Sequence, residues 1–445
     1  MTSRVEHGVN RRWFLTGAAA LAVGAAAGCS GDANRPLQFM QNYTPQDAGV
    51  DQQLIDQAMW FDAAIADWNS HHPEQVAPAF VPDYVNPMNP RIATSFAADY
   101  GPDIFLISPG EFLRYYNGGI MLDLRPYMSP EAVADFYPEA IATRAVGDGI
   151  FALPMEVEPL GIFYDVAVFE QGGLAEGDLP RTWDQMLDVA AKLTTPQRSG
   201  LVLETKPGYY QNFTFYPWVW QGGGDVVDAR SQQPSMTSPG VIAALELFAE
   251  TISSGVAPRT NPTGGEIVPA FTQGLAAMWE RGPWTIQEFA LQAPDHRYGI
   301  IPMPAPAGGQ PATVAGGWAW AVNNRGRDPD AAARFVVESI GSMSPESIAR
   351  CADWNGRAKS NLPARKSVTA ATEMLPSWTD PARTAVRGLL EHSRGEPRFP
   401  PVLYKALSNT IQSVQLAGGD ARAQAQQAQD AIESFLQTYD GAALL

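Results

Sequence analysis

Between Leu37 and Ile107 short apolar runs alternate with longer segments of helical spacing, and this alternation restricts the fold more than any other feature. Residues 37–43 (LQFMQNY) and 103–107 (DIFLI) have the composition of strands, and 76–81 is a third candidate. Leu54, Ile55, Ala58, Met59, Ile65 and Trp68 keep helical spacing on one side of a segment from Asp51 to Asn69. A second helix is expected over about Pro90–Asp99. Strands separated by helices specify an α/β fold with a parallel sheet. At 445 residues the chain exceeds a single core, so two domains or lobes are expected. Later helices announce their starts: Thr182 with Gln185 as a capping box, then Ser238-Pro239, Asp328-Pro329 and Ser344-Pro345.

The first 35 residues read as an address. Arg11 and Arg12 precede an apolar run from Trp13 to Ala27 that is too short and too rich in small residues for a normal membrane span. The paired arginines indicate the twin-arginine export route. Ala26-Ala27-Gly28-Cys29 resembles a bacterial lipobox. Residues 1–28 are therefore expected to be a signal peptide, Cys29 the lipidated first residue, and 29–35 a tether to the outer face of the cell membrane. Loss of three arginines and one glutamate with residues 1–28 changes the formal charge from −17 to −19. That sign, with no Lys/Arg block, disfavours nucleic acid as a partner. Only Cys351 remains besides Cys29, so no intramolecular disulfide is available.

Most catalytic signatures are missing. No Gly-Lys pair exists for a phosphate loop, no GxSxG elbow occurs, and no lysine has serine three residues before it. The five histidines lack HExxH spacing, so neither a zinc site nor a cofactor is expected. An enzyme would have to work with carboxylates, and Glu156 and Glu158 would share one face of a strand.

Six of the twelve tryptophans fall in three pairs beside glycine: Trp218/Trp220, Trp279/Trp284 and Trp318/Trp320. Flat aromatic faces next to tight turns suit pyranose rings, whose C–H faces are apolar. Polar residues recur at the same places: Gln221, Asp225, Glu280 and Arg281. The acids Glu156, Glu158, Asp225 and Glu280 would also suit an amino sugar.

Seven segments in order resemble a family: SFAADYGPDIFLISPGEFLRYYNGGIMLDLRPYM (95–128), GIFALPMEVEPLGIFYDVAVFEQGGL (149–174), LPRTWDQMLDVAAKLT (179–194), WQGGGDVVD (220–228), FTQGLAAMWERGPW (271–284), YGIIPMPAPAGG with AGGWAWAV (298–322), and NGRAKSNLPARKSV (355–368). Together they look like the extracytoplasmic solute-binding proteins of ABC importers, in the maltose- and glycerophosphodiester-binding cluster. The resemblance implies an α/β, two-lobed periplasmic-binding-protein fold with a hinge and an interlobe ligand cleft. Lobe 1 would comprise 36–155 plus 303–343 and lobe 2 would comprise 156–302 plus 344–445, with crossings at 153–158 and 300–304. It further implies a non-enzymatic, monomeric protein that delivers a sugar or amino sugar to an ABC permease. A glycerophosphodiester ligand and a surface glycoside hydrolase are the alternatives.

Carried over residue by residue, Trp284 matches the family's stacking aromatic, with Trp279 beside it. Gly316 and Gly317 match its glycine pair, flanked by Trp318 and Trp320. Asp225 and Gln221 follow the glycine-rich turn, and Glu156 and Tyr43 lie at strand ends facing the cleft. Arg357 would touch ligand or pair with an acid. Asp103 is expected to brace a loop.

Overall fold

The computed structural model describes residues 35–43, 52–81, 91–98 and 100–444. The twin-arginine pair, Cys29 and all but Arg35 of the expected tether lie outside the described residues.

The opening alternation becomes three parallel strands. Leu37–Gln41 pairs with Val76–Phe80 on one side and with Ile104–Ile107 on the other. Helix Gln52–His71 connects the first two. All four residues of Ile104–Ile107 are buried, as expected for a strand covered on both faces. The sheet is mixed rather than purely parallel, because Ala319–Val322 pairs antiparallel with Ile104–Ile107 and Leu153–Pro154 pairs antiparallel with Ala319–Val322 at the edge. Asp103 braces this region as expected, accepting backbone N–H groups from Gln38 at 2.8 Å and Arg327 at 2.7 Å.

From Leu153 the chain threads three sheets in thirteen residues. Leu153–Pro154 closes the mixed sheet, and Glu158–Pro159 pairs with Thr313–Gly316 in a small central sheet. Gly161–Asp165 then forms the middle of an antiparallel sheet, between Met278–Arg281 and Tyr298–Ile301. The return runs from Tyr298–Ile301 through the central sheet to Ala319–Val322. The second crossing therefore occupies the whole interval from 302 to 318, wider than the expected 300–304. Helix Pro345–Asp353 and the turn after it pack on Gln52–His71, with Trp60 Nε1 donating to Arg350 O at 2.8 Å. Although the resemblance puts 344–445 in lobe 2, these residues contact the first helix, where Trp60 meets Arg350.

The helix starts follow their capping residues with one exception. Thr182, Asp328 and Ser344 each accept a backbone N–H three residues on. Ser238 makes no such bond, so the helix after it starts on Pro239 alone.

Candidate functional site

The pleat of Glu156–Val157–Glu158 sends both carboxylates to one side, as expected from their spacing. There they meet a lysine that sequence reasoning missed. Lys359 Nζ lies 2.9 Å from Glu156 Oε1, 2.8 Å from Glu158 Oε1 and 3.1 Å from the Tyr43 hydroxyl. Trp354 Nε1 donates to Glu156 Oε2 at 2.6 Å, and Asn361 donates to Glu158 at 2.5 Å. Burial pushes the Glu158 carboxyl up to about 7 against the pull of Lys359. Lys359 is in turn held well above its ordinary range by the two carboxylates, which outweigh its own burial.

Glu156 and Tyr43 thus anchor an internal charge cluster joining the first strand, the crossing strand and the segment after Trp354. Arg357, singled out from that same segment, is half exposed and bound to Asp353 through two contacts of 2.7 Å.

The aromatic set divides. Trp320 is fully buried among Phe39, Phe61 and Phe335, and Trp279 is 2% exposed in a separate apolar cluster. Neither indole offers a face to a ligand. This corrects the expectation for both: their strands point them into cores, and the adjacent glycines have another use. Gly317 has φ of +120°, and a Cβ there would sit 2.3 Å from Glu156 O. A Cβ on Gly316 would lie 2.8 Å from the Phe213 ring. The glycine pair permits two chain segments to cross in contact. Gly317→Ala should therefore destabilise the protein by about 2 kcal/mol or more in chemical denaturation, through both strain and collision.

Gln221 is buried as well, accepting from Trp183 Nε1 at 3.0 Å and donating to Ala312 O at 2.9 Å. Asp225 accepts its neighbour's N–H at 2.8 Å, and burial raises its carboxyl. Both tie down the turn after Trp220.

Trp284 and Trp318 are the two predicted aromatics left partly open. Trp318 follows the glycine crossing, its backbone N–H directed at Glu156 Oε1 at 3.4 Å. Trp284 opens helix Trp284–Gln292 after the Gly282-Pro283 break. Tyr210, from the first turn of helix Tyr209–Gln221, stands edge-on to it with centroids 6.1 Å apart. The Arg281 guanidinium lies 5.8 Å from the same ring and 3.5 Å from Glu288. The Tyr210 hydroxyl and Arg281 Nε are both buried without a hydrogen-bond partner among the described residues. Tyr210 escaped sequence reasoning because nothing local marks it; only the packing of two helix starts brings it to Trp284.

Gly110 is closely packed as well: a Cβ there would come within 2.5 Å of Glu396 Oε1 and 3.1 Å of the Tyr209 ring. Tyr209 stacks on Tyr404 at 4.0 Å. Burial there raises the Glu111 carboxyl to about 7. Among the described residues, no three His, Cys, Asp or Glu side chains gather closely enough to hold a metal ion.

Comparison with known proteins agrees with this architecture. A protein of Deinococcus radiodurans described as a probable ABC transporter-binding protein is 25% identical over 251 residues, 54% of this chain and 58% of that one. The galactooligosaccharide-binding protein of Bacillus subtilis is 22% identical over 213 residues, 46% and 48% of the two chains. The chain thus spans about half the length of the curated relatives it matches. The cyclic α-maltosyl-1,6-maltose binding protein of Arthrobacter globiformis superimposes with a TM-score of 0.71 at 21% identity, covering 91% of this chain and 100% of that one. UgpB of Mycobacterium tuberculosis, in complex with glycerophosphocholine, gives 0.75 at 19% identity, covering 92% and 99%. These are two-lobed α/β proteins, and that is the fold of this chain. The profile of the bacterial extracellular solute-binding proteins matches residues 53–337, well over half of the sequence, and the chain belongs to that family.

Proposed function

We propose that this chain captures a neutral carbohydrate between its two lobes and delivers it to an ABC-type permease without chemical turnover. The observation that carries this reading is the partly open Trp284 face with two buried, unpartnered polar atoms, the Tyr210 hydroxyl and Arg281 Nε, beside it. An apolar face edged by hydrogen-bonding atoms without partners matches a pyranose, apolar on its ring face and hydroxylated at its rim. The sugar-binding relatives and structural neighbours support the ligand class.

The charges argue for neutrality. Of the four acids that would select an amino sugar, Glu156 and Glu158 share Lys359, and Glu280 is buried against Trp218 with its carboxyl pushed well above the usual range. Asp225 is engaged by backbone. A glycerophosphodiester would need a free cation, yet Arg357 is held by Asp353 and Arg281 faces Glu288. A hydrolase would need one acid and one base placed apart on either side of the scissile bond, whereas Glu156 and Glu158 sit on one face and share one cation.

Calorimetric titration with neutral oligosaccharides should give micromolar-range binding, and a purified protein that took up only glucosamine or glycerophosphocholine would refute this ligand class. Tyr210→Phe should act in opposite directions on fold and function. Removing an unsatisfied buried hydroxyl should leave the ligand-free protein equally or more stable, by up to about 1 kcal/mol, while sugar affinity falls.

We further propose that Cys29 carries the lipid that holds the protein at the extracytoplasmic face. A relative described as a lipoprotein in Streptomyces antibioticus, 23% identical over 306 residues, supports this. Cys29→Ser should move the protein from the membrane fraction to the medium, and retention at the membrane would refute the anchor.

A further inference from the structure

Behind the crossing strand lies a cavity of about 800 Å³. Val157 lines it, while Glu156 and Glu158, on either side of Val157, turn the opposite way toward Lys359. The cavity is therefore a different space from the Lys359 side of the strand. Its apolar walls include Leu362, Pro363, Ala315, Tyr137 and Trp378.

Four arginines line it; Arg394 is exposed and Arg387 half-buried, whereas the other two are buried, Arg144 at 2% and Arg398 at 8% exposure. Neither belongs to an ion pair among the described residues. Arg144 donates to Ala140 O at 2.8 Å, to Thr143 Oγ1 at 2.7 Å and to Gly317 O, and its Nε has no acceptor. Arg398 donates to Ala145 O at 2.5 Å and lies over the Phe112 ring at 5.3 Å.

Burial lowers the Arg144 guanidinium to about 10, outweighing the more distant carboxylates of Glu396, Glu158 and Glu156. Of these, Glu396 also lines the cavity, and its own burial raises it to about 8, so near neutral pH it is mostly uncharged. Glu156 and Glu158 are committed to Lys359. Two buried cations thus stand in a largely apolar cavity without a paired anion, an arrangement that is costly until a counter-charge arrives, whereas Arg387 and Arg394 reach water.

We propose that this cavity is a second ligand site, for a small organic monoanion with an apolar or aromatic body whose carboxylate is met by Arg398 and Arg144. The exposed acids Glu139, Glu373 and Glu391 also line the cavity and select against ligands of higher negative charge. A volume of this size is that of a small-molecule site. The proposal stands independently of the carbohydrate reading.

The test is calorimetric titration of the full chain with phenylacetate and with 2-phenylethanol, its uncharged counterpart. Phenylacetate is expected to bind at least tenfold more tightly. Arg398→Gln should abolish that difference, and Ala315→Leu, which fills the cavity without touching a charge, should weaken both probes. If the glutamine variant fails to fold, the leucine variant decides. Absence of binding by phenylacetate, benzoate and 3-phenylpropanoate alike overturns the proposal, as does an anion preference that survives Arg398→Gln.

Discussion

Replacing Lys359 by methionine is expected to cost about 3–5 kcal/mol of folding stability at neutral pH. The side chain fills similar space, so the loss would come from electrostatics rather than from a hole. Without the ammonium, Glu156 and Glu158 would face each other on one strand inside the protein, Glu156 being fully buried. The effect should depend on pH with a definite sign. The Glu158 carboxyl is raised in the folded state to about 7. A carboxyl with a raised folded pKa favours folding below its unfolded value and loses that contribution as pH rises through the folded one. The deficit of Lys359→Met, measured by urea denaturation, should therefore be greatest near pH 8 and shrink toward pH 5. Adding Glu158→Gln should restore part of the loss, because one of the two stranded charges is removed. A deficit that does not vary with pH would mean that the lysine acts only by packing.

Trp284→Ala should lower carbohydrate affinity at least roughly tenfold, about 1.4 kcal/mol, with the circular dichroism spectrum unchanged. The ring is partly open and packs on the edge of the core rather than inside it, so its loss should act on ligand more than on fold. Trp320→Ala should do the reverse, because that ring is enclosed by four aromatic neighbours, Phe39, Phe61, Phe335 and Trp60. Its variant would lose stability first, by about 3–5 kcal/mol. Equal affinity of Trp284→Ala and the parent would remove Trp284 from the binding surface.

The contrast between these tryptophans shows where sequence information ends. Hydrophobic periodicity and capping residues are local signals, and they located the strand expected at 103–107 and the helix begun by Thr182, whereas the crossing expected at 153–158 rested on the family resemblance. The glycines before Trp318 were equally visible, but their purpose was not. Close approach to a ligand and close approach to another strand demand the same missing Cβ, and only the position of Glu156 O distinguishes them. Lys359 was hidden for a related reason. A lysine two residues from an exposed arginine carries no local mark of burial, and its carboxylate partners are about 200 positions away in sequence. The second crossing and the placement of residues 345–358 depend on long-range packing of the same kind.

Ligand capture beside Trp284 is tested most directly by a crystal structure of the protein with the neutral oligosaccharide that raises its melting temperature most. A sugar ring stacked on the Trp284 indole, with a hydroxyl in hydrogen-bond contact with the Tyr210 hydroxyl, is the expected result. A ligand seated elsewhere, with no sugar ring against the Trp284 indole, would contradict it.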